Sequence, residues 1–140
     1  IAAWHKNLAE EAIRFNKITN VSGRQYAFPD VKRNQRGGVS HFTMIKNYPV
    51  QGFATGDVVP VVLNEMHRRL KGMQSCLVNT VHDSTVIDIH PEEKDEVLNI
   101  INTMNEGLTD LVESVYGIRM NVPLLLEAKI GPNWLDTVDV

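Results

Sequence analysis

His82, Asp83 and Ser84 stand together between two runs rich in Val, Leu, Ile and Thr. A carboxylate held at a hairpin turn can present oxygen to a hard cation such as Mg2+, which favours oxygen ligands and keeps waters for substrate phosphates to displace. An aspartate in a tight turn also hydrogen-bonds its own backbone. The tripeptide alone leaves both readings open. Asn47 and Gln51 lie four residues apart. On a helix that spacing puts both amides on one face, where they can donate and accept hydrogen bonds together. Such amides are also commonly just solvated. Arg24, Lys32, Arg33 and Arg36 belong to a basic stretch that could face an anion. The single cysteine, Cys76, excludes an internal disulfide framework. Its apolar surroundings predict a small buried hydrophobe rather than a nucleophile.

The elements that would hold these residues follow from periodicity. Ile1, Trp4, Leu8, Ala12 and Phe15 recur at helical spacing and predict an opening amphipathic helix. From residue 19 to 40 the period is lost among Ser22-Gly23, Phe28-Pro29-Asp30 and Gly37-Gly38, around a short strand at 25–28. Gly37-Gly38 reads as the one flexible joint. From Ser40 a long helical pattern runs to Arg68-Arg69 and Gly72, a basic last turn followed by glycine. Pro49 and Pro60 fall inside it, and each lacks a backbone donor, so two helical pieces are expected. Residues 75–81 and 85–89 read as two buried strands of a hairpin with His82-Asp83-Ser84 at its tip. Pro91 and Glu92-Glu93 open a further helix that Gly117 ends. Residues 124–130 read as a strand pairing beside the hairpin. The fold class is therefore α+β, an antiparallel sheet with a central β-hairpin packed against helices.

The chain has 140 residues, enough for one domain or one piece of one. No segment reaches the roughly 18 apolar residues that cross a bilayer, so no membrane partner is expected. Net charge is −3, unevenly spread. Arg24 to Lys46 carries five Lys or Arg against Asp30 alone, whereas Asp83 to Glu113 carries nine acids against Lys94 alone. That asymmetry suggests one anion-facing surface and one solvated acidic face. Ile1 begins the chain without a basic, apolar leader, which predicts a start inside a longer reading frame; the lone cysteine fits a reducing, cytoplasmic setting.

Four blocks in order resemble family A (polymerase I-like) DNA polymerases. Val81-His82-Asp83-Ser84 resembles the family's valine-histidine-aspartate-glutamate motif. Asn47-Tyr48-Pro49-Val50-Gln51-Gly52-Phe53-Ala54-Thr55-Gly56-Asp57 resembles its asparagine-x-proline-x-glutamine-glycine-x-alanine-x-x-aspartate helix. Thr19, Gly23-Arg24 and Phe28-Pro29-Asp30 resemble the segment between fingers and palm. Val122-Pro123-Leu124 and Ile130-Gly131-Pro132-Asn133-Trp134 resemble the closing strand and its glycine-x-x-tryptophan finish.

The resemblance implies that residues 1–140 are the C-terminal part of a polymerase palm, incomplete here, with fingers, thumb and remaining palm supplied by the same polypeptide. Asp83 would be one of two carboxylates holding two Mg2+ ions for nucleotidyl transfer from a dNTP to a primer 3′-hydroxyl on primer-template DNA. His82 would lie at the primer terminus, Asn47 and Gln51 against the duplex, and Arg24 at a backbone phosphate. Two positions depart from the pattern. Ser84 replaces the usual glutamate, and Thr43 stands where many bacterial members have arginine, which suggests a divergent, phage-derived lineage. Neither the first aspartate motif nor the fingers helix is present, so the 140 residues alone are expected to be inactive. The alternative is a non-catalytic nucleic-acid-binding module with a palm-like fold.

Overall fold

The computed structural model describes residues 1–140, which divide into two compact units, Ile1–Pro60 and Val61–Val140. In the first, helix α1 (Ala2–Phe15) ends where Asn16 turns left-handed at φ 52°. The chain then enters strand β1 (Lys17–Thr19), which pairs antiparallel with β2 (Gln25–Ala27), Ile18 opposite Tyr26. Leu8, Ala12, Ile18, Phe28, Val31 and Ile45 form the core, with Tyr26 and Tyr48 packed against it. Of the expected stripe on α1, Leu8 and Ala12 are buried, whereas Ile1, Trp4 and Phe15 are exposed. The buried face is carried by the middle of the helix, where Ala9 joins it.

Gly37-Gly38 is a tied turn rather than a loose joint. Asn34 Oδ1 accepts from the Arg36 and Gly38 amides at 3.0 and 2.8 Å, and Asn34 N donates to Gly38 O at 2.8 Å. Arg33 and Val39 bridge across the same turn.

Helix α2 (Phe42–Phe53) passes through Pro49 without ending. A turn of π-helix follows over Ala54–Val58, where the Val59 amide reaches back to Ala54 O, and helix α3 (Val59–Arg69) continues. Two α-helical pieces are present as expected, and the irregularity lies just ahead of Pro60, which has no N–H to return to the preceding turn.

In the second unit, β3 (Cys76–Val81) and β4 (Ser84–Asp88) form the expected antiparallel hairpin. A 3-10 turn at Pro91–Glu93 leads into α4 (Lys94–Tyr116), which Gly117 closes in the left-handed conformation at φ 67°. Met66, Leu70, Val97, Ile100 and Met104 make the core, with Leu77, Ile87, Ile89 and Leu126 against it. Arg69 reaches Thr103 at 2.7 Å, joining α3 to α4.

Three expectations are corrected here. Cys76 is exposed, not buried. The strands are not buried on both faces either: Leu77 and Ile87 turn inward, while Val78 is 55% exposed. A two-stranded sheet has one face on the helices and one open, so alternation along β3 puts Cys76 and Val78 outside. Finally, residues 124–130 do not pair beside the hairpin. Only β5 (Lys129–Ile130) is strand, and it pairs with β6 (Val138–Asp139). Asn105 of α4 takes the place of a ladder partner: its Oδ1 accepts from the Leu126 amide at 2.6 Å and its Nδ2 donates to Leu126 O at 3.0 Å. The sheets are thus three separate antiparallel pairs packed on helices, within the α+β class. No helix is long and apolar enough to cross a membrane.

Candidate nucleotidyl-transfer and DNA-contact residues

The hairpin loop has two residues, because Val81 pairs with Ser84 and leaves His82 and Asp83 between them. His82 is left-handed at φ 56°. Such a conformation in a non-glycine residue costs on the order of 1–3 kcal/mol, although histidine tolerates it better than most. Asp83 is exposed beside it. Ser84 does not extend the acidic tip, since its hydroxyl donates to Val81 O at 2.9 Å and fastens the turn.

Two features set the direction in which the tip points. A bulge between Leu77 and Asn79 inserts Val78 into β3 and shifts the register with β4. Bulges bend and twist a strand, which re-aims the side chains beyond them. At the base, Glu93 accepts from the Gln74 amide at 2.9 Å, the Ser75 amide at 2.7 Å and Ser75 Oγ at 2.6 Å. Ser75 Oγ in turn accepts from the His90 amide at 3.0 Å. The start of β3 and the exit from β4 are thereby locked to the entrance of α4. Those hydrogen bonds, from the Gln74 amide above all and then from Ser75, hold the Glu93 carboxyl below the usual carboxylate range. The Pro91-Glu92-Glu93 helix start was legible in the sequence; its partner Ser75 was not.

Whether the tip suits a divalent cation is a question of donors. Asp83 supplies an oxygen of the kind Mg2+ prefers, yet no three His, Cys, Asp or Glu side chains of the chain are grouped to hold a metal ion. One carboxylate fits such a site without completing it.

Asn47 and Gln51 both project from the exposed side of α2, while Ile45 and Pro49 are buried. The helix seats closely on β2: an added Cβ at Gly52 would lie 1.7 Å from Tyr26 Oη. The Tyr26 and Tyr48 rings meet in a tilted contact with centroids 5.4 Å apart, and Tyr26 Oη is buried without a hydrogen-bond partner. Glycine is required at position 52 by this approach.

The basic segment is partly neutralised from within. Arg33 pairs with Glu10, whose carboxyl is held below its ordinary value by that hydrogen bond. Lys46 lies 4.7 Å above the Phe42 ring. Arg24 meets Asp57, its Nε and Nη2 donating to Oδ1 at 2.9 and 2.6 Å. Asp57 closes the motif that begins at Asn47, but nothing in its residue type revealed that it is buried against Arg24.

Comparison with known proteins matches residues 1–136 to the family model for DNA polymerase family A. DNA polymerase I of Caldicellulosiruptor bescii is 28% identical over 141 aligned positions, covering 94% of this chain and 15% of that protein. DNA polymerase I of Synechocystis is 27% identical, covering 93% of the chain and 12% of the relative. The DNA polymerase of Bacillus phage SP01 is 24% identical across 99% of the chain and 15% of its own length. The chain thus spans less than a sixth of the length of these relatives.

Proposed function

This chain belongs to DNA polymerase family A, and we propose that it forms the C-terminal part of the palm in a template-directed DNA polymerase of a bacterial cell or phage-infected host. The observation that carries the reading is the tip: an exposed Asp83 on a two-residue turn, beside a left-handed His82, in a hairpin locked at its base. Preorganised charge of this kind is what transfer of a phosphoryl group requires, because most of the acceleration comes from positioning and electrostatics.

Asp83 would hold one face of a Mg2+ pair, the second carboxylate coming from polypeptide outside these 140 residues. The chemistry a bound pair supplies is acidification of the primer 3′-hydroxyl and stabilisation of the departing pyrophosphate. His82, beside Asp83, would place the sugar-phosphate of the primer end. Asn47 and Gln51 would read the minor groove, where each base pair presents acceptors in similar positions, so grip is kept while sequence is ignored. The substrates would be primer-template DNA and a dNTP.

The test is primer extension by the 140 residues and by the complete polypeptide carrying fingers, thumb and the rest of the palm. Only the complete polypeptide should incorporate nucleotides. Robust incorporation by the 140 residues would overturn the division of labour proposed here. A complete polypeptide that binds primer-template but never extends it would favour the non-catalytic nucleic-acid-binding module.

A further inference from the structure

Arg24, expected from the sequence to meet a phosphate, is engaged otherwise. Asp57 is only 3% exposed, and both of its carboxylate oxygens are hydrogen-bonded. Besides the two Arg24 bonds to Oδ1, Ser22 Oγ donates to Oδ2 at 2.5 Å and Asn20 Nδ2 approaches it at 3.4 Å. A planar guanidinium with more than one N–H on a carboxylate gives direction as well as charge.

Its Nη2 also donates to Gly56 O at 2.9 Å. That carbonyl lies four residues before Pro60, the position from which an ordinary helix would return an N–H and proline returns none. Arg24 gives that carbonyl a side-chain donor within the π-helical turn. The turn that presents it is itself closed, by Asn20 N to Arg24 O at 2.7 Å and Gly23 N to Asn20 O at 2.9 Å, with Gly23 at φ 85°.

The clamp closes on the π-helical turn Ala54–Val58, directly after Gln51. Gln51 O is itself held, accepting from Thr55 Oγ1 at 2.7 Å and from the Ala54 amide. Adding a residue to a helical turn rotates the segment before it relative to the segment after it, and such bulges recur at functional sites. The clamp therefore holds the backbone that leaves the Asn47–Gln51 helix at its C-terminal end.

We propose that Arg24 is a positioning residue: through Asp57 and Gly56 it fixes the π-turn that aims the Asn47–Gln51 face at the duplex, and it is not itself a phosphate contact. This rests on the reading of α2 as a DNA-contacting helix. The charge pattern agrees, since Arg24 faces the Asp57 carboxylate and the pair is locally neutral. A neutral pair releases few counterions on DNA binding.

The experiment compares Arg24→Gln, Asp57→Asn, the double variant and Arg24→Lys in the complete polypeptide, below the unfolding midpoint of each. It measures kcat and the KM for primer-template, and the salt dependence of DNA binding. Each of Arg24→Gln and Asp57→Asn should lower kcat/KM by about 10- to 100-fold, since misplacement by about an ångström is enough to do so. The double variant should be no worse than either, as partners in one interaction are non-additive. Arg24→Lys should recover little, and the slope of log K against log salt should stay within a few tenths of the parent's.

A slope reduced by about 0.9 in Arg24→Gln, with Asp57→Asn unimpaired, would make Arg24 a phosphate contact and overturn the proposal. Lowered melting with unchanged kinetics, or loss of folding in all four variants, would reduce the clamp to a structural role. Asn47→Ala and Gln51→Ala serve as controls. If they are silent, the DNA-contact reading fails and this proposal with it; if they are impaired while Arg24 and Asp57 are indifferent, only this proposal fails.

Discussion

Substituting Gly52 by alanine sets two effects against each other in one place. Glycine inside a helix costs about 1 kcal/mol relative to alanine, so a Gly52 facing open space would be improved by the change. Here the new methyl would fall 1.7 Å from Tyr26 Oη, 2.7 Å from its Cζ and 3.4 Å from its Cε1. Relief requires the ring to move by more than an ångström, and the Tyr48 ring lies beside it with its centroid only 5.4 Å away. Overpacking of this kind costs about 1–3 kcal/mol, and the upper half of that range applies because the contact is so short. Gly52→Ala should therefore destabilise by a net of about 1–2 kcal/mol after the helix gain. At a urea dependence of about 2 kcal/mol per molar, that lowers the midpoint by about 0.5–1 M. The assay is urea unfolding followed by Trp4 fluorescence in a Trp134→Phe background, so that the signal reports the first unit. Tyr26→Phe deletes the closest atom and removes a hydroxyl that is buried without a partner. It should cost little alone and should restore about 1 kcal/mol or more in the double variant, a coupling that double-mutant cycles resolve. A more stable Gly52→Ala, or strict additivity with Tyr26→Phe, would refute the packing of α2 on β2 described here.

Asn105→Ala should cost about 1–3 kcal/mol, because the Leu126 amide and carbonyl lose their partners together; hydrogen exchange should show the Leu126 amide losing protection ahead of those in α4. Acid stability should follow Glu65 and Glu93 in the second unit. The Arg68 hydrogen bond, then that of Arg69, holds Glu65 down to about 2 from an ordinary 4.5, and the Gln74 and Ser75 bonds lower Glu93. A carboxyl with a depressed folded pKa stabilises above its unfolded value, and that contribution is lost as pH falls from about 4.5 toward the folded value. Melting temperatures recorded from pH 6 to pH 2.5 should therefore fall, and less steeply in Glu93→Gln and Glu65→Gln; identical slopes in parent and variants would contradict the assignment.

Much of this was legible in the sequence where burial periodicity decides structure. The α4 pattern from Val97 to Val112 survives into the fold because one continuous apolar stripe must be covered, and Pro91 and Gly117 bracket it by backbone geometry alone. The hairpin was legible from two short β-branched runs around polar residues. Its exposure was not, since Cys76 and Val78 have the composition of buried residues, and only the count of strands shows that one face is open. The course of residues 124–130 was hidden for a similar reason. Their side chains suit a strand, yet the backbone of Leu126 is met by an amide side chain on α4 and only Lys129–Ile130 pair with a strand, a division that no local pattern predicts.

The site divides along the same line. His82, Asp83, Asn47 and Gln51 could be singled out by residue type and spacing, and the structure places all four at exposed positions. The alignment of Arg24 with Asp57 could not be read, because it depends on contacts made across 32 and 33 residues of chain. Ser84 is informative in its own way: it departs from the family pattern, and its hydroxyl fastens the turn that carries Asp83.

The most direct measurement is single-turnover primer extension by Asp83→Ala in the complete polypeptide, beside titration of the same protein with primer-template DNA. If Asp83 holds a metal ion as proposed, its removal withdraws several kcal/mol of transition-state stabilisation, and the rate should fall by about three orders of magnitude or more. DNA affinity should stay within about threefold of the parent's, because Asp83 is not placed among the duplex contacts and its loss removes no cation from them. An Asp83→Ala variant that folds and extends primers at the parent's rate would contradict the account at its centre.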